Sequence, residues 1–142
     1  MRTALVRHAI DSASLLAEVT RPANGAAVLF VGTVREMNDG RAVTGIEYTA
    51  YESMAARELD AIVRDAAAAH DTDDIVVEHR LGTLDLTDAS VVIAVGHARR
   101  APAYEASRWI IEELKRRVPI WKLEHYTDGT REWVNAGTGA PR

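Results

Sequence analysis

Residues 114–126 read LKRRVPIWKLEHY and hold Lys115 and Lys122, the only lysines among 17 basic residues. Upstream, Ala103, Ala106, Ile110 and Leu114 recur at helical spacing and carry a helix through Arg117. Pro119 has no N–H to donate and disfavours helical geometry at the residue before it, so the helix stops there. IWKLEHY, a TDGT turn and REWV then read as a closing hairpin. One lysine therefore falls on the last helical turn and the other on the strand that leaves the corner.

Working outward, Pro102 fits the first turn of that helix, where a missing N–H costs little. The preceding ASVVIAVGHA is the most apolar strand of the chain and is predicted to be central. IVVEHRLGTLDL alternates as a strand, with Gly82 as a bulge or bend. From Ser53 to His70, Ala55, Leu59, Ile62, Val63 and Ala66 form one helical stripe, ended by DTDD. AAVLFVGTVRE and AVTGIEYTAYE are strands flanking an MNDGR turn, and they are predicted to form a hairpin, or something close to one, around Asp39-Gly40. At the start, TALVRHAI reads as a short strand, and Asp11 or Ser12 caps a helix carrying Leu15, Leu16 and Val19. The predicted fold class is α+β with a mainly antiparallel sheet. One domain is expected over residues 1–134, with a loose tail over 135–142.

Composition narrows the function. A net charge of −4 with 6% aromatic residues disfavours a general nucleic-acid binder, which would carry a strongly basic balance. No apolar run approaches the ~18 residues that span a membrane, and Arg7, His8 and Asp11 interrupt the N-terminal segment where a secretory signal would be apolar. A cytoplasmic location is the expectation. The absence of cysteine removes disulfides, thiolate nucleophiles and Cys-ligated metals. No histidine pair has the i, i+4 spacing of a helical metal site, DTDD lacks the ligand pattern of a calcium loop, and Gly32 and Gly40 form no phosphate-binding loop. Trp109, Trp121 and Trp133 read as packing residues, with Trp121 pointing away from Lys122 by strand alternation.

Local charge is different. Arg99, Arg100, Arg108, Lys115, Arg116, Arg117 and Lys122 make residues 99–122 a basic island, which suggests a confined anion site. Two readings of the lysines are open at this point. Lys115 can simply favour the helix dipole, and Lys122 can protect a strand edge. Alternatively, the two flank one corner and converge; an amine among like charges and partly desolvated loses proton affinity and becomes a usable nucleophile or base. Arginine cannot take that role, because its guanidinium stays protonated.

Four segments, in order from about Gly25 to Val134, resemble the molybdopterin synthase catalytic (large) subunit family: GAAVLFVGTVRE with its Gly-x-Val-Arg ending, IEYTAYESMA, VEHRLGTLDL, and ARRAPAYEASRWIIEELKRRVPIWKLE. The resemblance implies an α/β hammerhead fold and a homodimer. It also implies a small ubiquitin-like sulfur-carrier partner with a C-terminal Gly-Gly, giving a heterotetramer. The carrier's thiocarboxylate would supply two sulfurs in turn to cyclic pyranopterin monophosphate, forming the dithiolene of molybdopterin. No metal or cofactor is implied.

By position, the resemblance assigns Lys115, Lys122 and Arg35 as catalytic residues. Thr33, Val34, Arg35, Arg99, Arg100, Lys115, Lys122, Leu123 and Glu124 are its substrate-binding set, with Arg99 and Arg100 acting on the neighbouring subunit's substrate. Lys115 is the candidate for the acyl-transfer side and Lys122 for proton transfer at the pterin, roles that the sequence leaves exchangeable. One position departs from the family pattern: Arg99 stands where a histidine is usual. Either Arg99 acts as a second anion clamp or His97, two residues earlier, supplies the imidazole. The competing reading is a non-catalytic dimeric module that holds a phosphorylated ligand or an acidic peptide tail on its basic island.

Overall fold

The computed structural model describes residues 1–134; the tail expected over 135–142 lies outside them. The described chain runs β1 (Arg2–Val6), α1 (Ser12–Val19), β2 (Ala26–Thr33), β3 (Met37–Asn38), β4 (Arg41–Ala50), α2 (Glu52–His70), β5 (Ile75–Arg80), β6 (Gly82–Asp85), β7 (Ala89–His97), α3 (Arg100–Arg117), β8 (Ile120–Tyr126) and β9 (Arg131–Val134). It is α+β, as predicted, with the strands divided over two sheets. None of its helices is long and apolar enough to cross a membrane.

The first sheet has the order β1-β5-β7-β2. Its only parallel pair is β1 with β5; β5–β7 and β7–β2 are antiparallel. The central place of β7 explains its composition. Val91, Ile93 and Val95 face α2 and α3, while Val92 and Ala94 face Leu15 and Val19 of α1. A strand covered on both faces must be apolar at every position, which is why ASVVIAVGHA lacks alternation. Asp11 caps α1 by accepting the Ser14 N–H at 3.2 Å.

The second sheet is built on β4, which pairs with β8 along one edge and with β6 along the other, and β9 extends it beyond β8. Its own small core holds Val34, Val43, Ile46, Leu84 and Tyr126. The closing β8–β9 hairpin is present as predicted.

Two passages between the sheets differ from the sequence reading. The strands at 26–33 and 41–50 do not pair with each other: β2 lies against β7, and only the short β3 pairs with β4. The Asp39-Gly40 turn is real, with φ of 48° and 77° at its two residues, the left-handed geometry that Asp-Gly favours. The hairpin stops at Met37 because the chain has already crossed over. The ladder slips between Gly32 and Thr33, and Val34 bonds instead to the 87–88 loop, its N–H donating to Asp88 O at 3.1 Å. The second passage is at Gly82. With φ of 94° it ends one strand and starts another, so IVVEHR and GTLD lie in different sheets.

Gly96 shows how tightly α1 is seated. A β-carbon there would press on the Val19 carbonyl oxygen and the Asn24 amide. Its own N–H donates to Asp74 O at 2.8 Å, so the backbone is not free to move away. Gly96→Ala is expected to cost about 2–3 kcal/mol through overpacking, read as a lower urea midpoint. A loss below ~0.5 kcal/mol, the scale of a neutral surface change, would contradict this packing.

Candidate active site

The corner after α3 is closed by hydrogen bonds. Val118 is extended (φ −79°, ψ 125°) and donates to Leu114 O at 3.0 Å, and Ile120 donates to Val118 O at 2.8 Å. The Pro119 carbonyl accepts the Tyr51 N–H at 3.2 Å, tying the corner to the start of α2. Lys115 leaves the last turn of α3 and Lys122 leaves β8, three residues past the proline. Along β8, Ile120, Lys122 and Glu124 share one face; Tyr48 lies opposite Lys122 in register and Ile46 opposite Glu124.

These side chains line one recess of about 630 Å³. It lies at the seam where the ends of β2 and β5 meet β4, β8 and the end of α3. Thr33 and Arg35 line it from the passage after β2, and Leu114, Val118 and Ile120 form part of its apolar wall. Lys115 is exposed and stands at the rim, whereas Lys122 is half-buried.

Burial pushes the Lys122 amine below the usual lysine range. Glu124 opposes this, the charges of Lys115 and Arg35 push the same way as burial, and Asp39 opposes it again. Glu124 itself is 1% exposed and is held by the Asn38 amide, which donates to its Oε1. Arg35 Nη2 donates to Asn38 Oδ1 at 3.4 Å, so a chain of contacts links Arg35 through Asn38 to Glu124.

Five of the residues singled out from sequence come together here: Thr33, Arg35, Lys115, Lys122 and Glu124. Four do not line the recess. Val34 is buried in the core of the second sheet, and Leu123 lies on the opposite face of β8 from Lys122. Arg99 and Arg100 are exposed at the start of α3. Fifteen residues at 1.5 Å each put Arg100 roughly 22 Å along the helix from Lys115.

His97 is not the missing imidazole. Its Nε2 lies 2.9 Å from His70 O and its Nδ1 accepts the Arg99 N–H at 3.0 Å, so both ring nitrogens are engaged in joining α2 to α3. Nor is the basic island one site. Arg108 pairs with Glu112, Arg116 with Glu113, and Arg117 with Glu58 and Asp65, all outside the recess.

The sequence reading missed Tyr48, His79, Asn38 and Ser90, which also line the recess. His79 had a signal: it follows Ile75 and Val77 on one face of β5, where a buried imidazole needs a partner. Its Nδ1 lies 2.9 Å from Arg80 O, and the Tyr48 ring meets it edge-on at 5.1 Å and 76°. Burial lowers its pKa to about 4; the Arg80 carbonyl opposes the shift and the Lys115 charge adds to it. Burial also raises the Tyr48 hydroxyl, with Ser90 acting against the shift and Glu124 with it. Trp121 points away from the recess, as predicted, and packs edge-on against Tyr51 at 4.7 Å. Among the described residues no group of three or more His, Asp or Glu side chains is placed to hold a metal ion.

The fold and the site together define a class: an α+β chain with two lysines and an arginine lining one seam recess. Comparison with known proteins narrows the class. The family described as MoaE protein matches residues 5–117. The molybdopterin synthase catalytic subunit of Halalkalibacterium halodurans is 41% identical over 133 residues, covering 94% of this chain and 85% of that protein. The subunit of the same name from Aspergillus oryzae is 41% identical over 124 residues, covering 87% and 69%. Among solved structures, molybdopterin synthase from Staphylococcus aureus superposes with a TM-score of 0.86 at 33% identity, covering 92% of this chain and 94% of that one. A complex of subunits 1 and 2 of molybdopterin-converting factor from Helicobacter pylori shares the fold, with a TM-score of 0.74 at 23% identity over 93% and 89% of the two chains. The chain belongs to the MoaE family.

His79 couples stability to pH. Its ring takes up a proton near 6.5 when unfolded and near 4 when folded. Between those values the unfolded state binds the extra proton, so this contribution is complete above pH 6.5 and is lost as pH falls toward 4. From pH 7 to 4.5 the wild type is expected to lose about 2–3 kcal/mol more than His79→Phe. Equal losses in urea titrations at the two pH values would contradict the assignment.

Proposed function

We propose that the chain is the catalytic subunit of a molybdopterin synthase, acting as a sulfurtransferase in molybdenum cofactor biosynthesis. Residues 1–134 serve as one catalytic domain, in the cytoplasm. One observation carries the reading: both lysines of a chain that otherwise uses arginine line the same recess, together with Arg35.

The chemistry asks for this arrangement. The substrate, cyclic pyranopterin monophosphate, brings a phosphate, and the small ubiquitin-like carrier brings a C-terminal Gly-Gly thiocarboxylate. Arg35 can bind an oxyanion through two parallel N–H bonds. Lys115 at the rim meets the incoming carrier terminus and stabilises the negative charge on the thiocarboxylate oxygen as sulfur passes to the pterin and water takes up the acyl group as a carboxylate. Lys122, deeper and with its proton affinity reduced by burial, exchanges protons at the pterin as oxygen leaves and sulfur enters. Thr33 and Glu124 border the same space. Arg99 and Arg100 cannot serve the recess of their own chain at roughly 22 Å along α3. They act on a partner subunit's recess in a homodimer, and two carriers complete a heterotetramer.

The test is to mix the protein with thiocarboxylated carrier and the pterin precursor and to follow dithiolene formation. Lys115→Arg and Lys122→Arg keep the charge but remove an ionisable amine. Each is expected to lower turnover by about 100-fold or more, with substrate affinity kept within a few-fold. Near wild-type turnover in both variants would favour the competing reading, a dimeric module that binds a phosphorylated ligand or acidic tail by charge alone.

A further inference from the structure

Most polar groups around the recess are donors or are already engaged. Arg35, Lys115 and Lys122 only donate, and Glu124 Oε1 takes the Asn38 amide. His79 adds an uncharged nitrogen acceptor. A carbonyl oxygen can only accept, so the contact with Arg80 O places the ring proton on Nδ1 and leaves a bare lone pair on Nε2. Among the described residues Nε2 has no hydrogen-bond partner. The ring itself lines the recess, alongside Tyr48, Ser90 and Lys115.

The ring cannot turn easily. It is 5% exposed, Tyr48 holds one side, and Leu5 and Val91 are its register neighbours on the flanking strands. A lone pair repels anionic oxygen and attracts an N–H or O–H donor. The three cations that line the recess draw an anionic group, whereas the His79 lone pair favours a donor.

Resting on the sulfur-transfer reading above, we infer that His79 determines substrate specificity: its Nε2 accepts a hydrogen bond from an N–H or O–H of the substrate heterocycle and orients the ring while the anionic group lies among Arg35, Lys115 and Lys122. The ring stays neutral at physiological pH because it is buried, and the Lys115 charge reinforces this. Of the groups in contact with it, Tyr48 is kept protonated by burial and the Arg80 carbonyl is uncharged.

The experiment uses the full chain labelled with ¹⁵N-histidine, titrated with cyclic pyranopterin monophosphate and, separately, with inorganic phosphate, without carrier. The His79 Nε2 resonance is expected to start at an unprotonated position, to shift on adding the pterin and to stay in place on adding phosphate. His79→Phe is expected to weaken pterin binding about tenfold or more while leaving phosphate binding unchanged. His79→Gln, which keeps an acceptor oxygen, should recover part of the loss. Pterin affinity unchanged in His79→Phe, or an Nε2 resonance that responds to Lys115→Met and not to pterin, overturns the inference and leaves the sulfur-transfer reading standing. Should the wild type bind no pterin, both fall together.

Discussion

The Val118–Pro119 corner is the constraint on which the site depends. A helix that continued from Arg117 through Lys122 would carry that lysine around its axis instead of onto a strand. The proline ends the helix, and its carbonyl is pinned by the Tyr51 N–H at 3.2 Å, so the direction in which β8 departs is set by the start of α2. Register does the rest: pairing Lys122 with Tyr48 turns the lysine inward, and a slip of one residue would send it to the Trp121 face.

Inward placement is electrostatically unfavourable for an ammonium group, and the structure offsets it only in part. Glu124 lies two positions along the same face, held by Asn38, and is the negative charge that acts most on Lys122. Arg35 and Lys115 act against it. The outcome is an amine that is kept in place and holds its proton less firmly, which is useful where a proton must be exchanged. The same recess also holds an imidazole that burial keeps neutral, met edge-on by the Tyr48 ring at 5.1 Å.

Much of this was legible in the sequence because local rules agreed with the global fold. Pro102, Pro119 and the Ala103–Leu114 stripe define α3, Asp11 caps α1, and the Asp39-Gly40 turn sits where its residues place it. The hairpin expected between the strands at 26–33 and 41–50 was not legible, because nothing in Gly32-Thr33-Val34 announces that the chain changes sheet there. The same limit hid the recess floor. Tyr48 and His79 meet only because Gly82 sends β5 and β6 to different sheets, so their proximity is a tertiary fact with no periodic signature. The basic island was the opposite case: contiguous in sequence, it disperses in space, since carboxylates from α2 and α3 pair with Arg108, Arg116 and Arg117.

Lys115 and Lys122 line one partly desolvated recess, and because they are the chain's only two lysines each can be followed by itself. With ¹³Cε-lysine labelling, each amine can be titrated separately by NMR. Lys122 should titrate below the ordinary lysine value of about 10.4, and its midpoint should rise when Lys115 is replaced by Met, because a neighbouring positive charge has been removed. An ordinary midpoint for Lys122 that ignores the Lys115 substitution would mean that the two amines look into separate water, and the account of the site would be wrong.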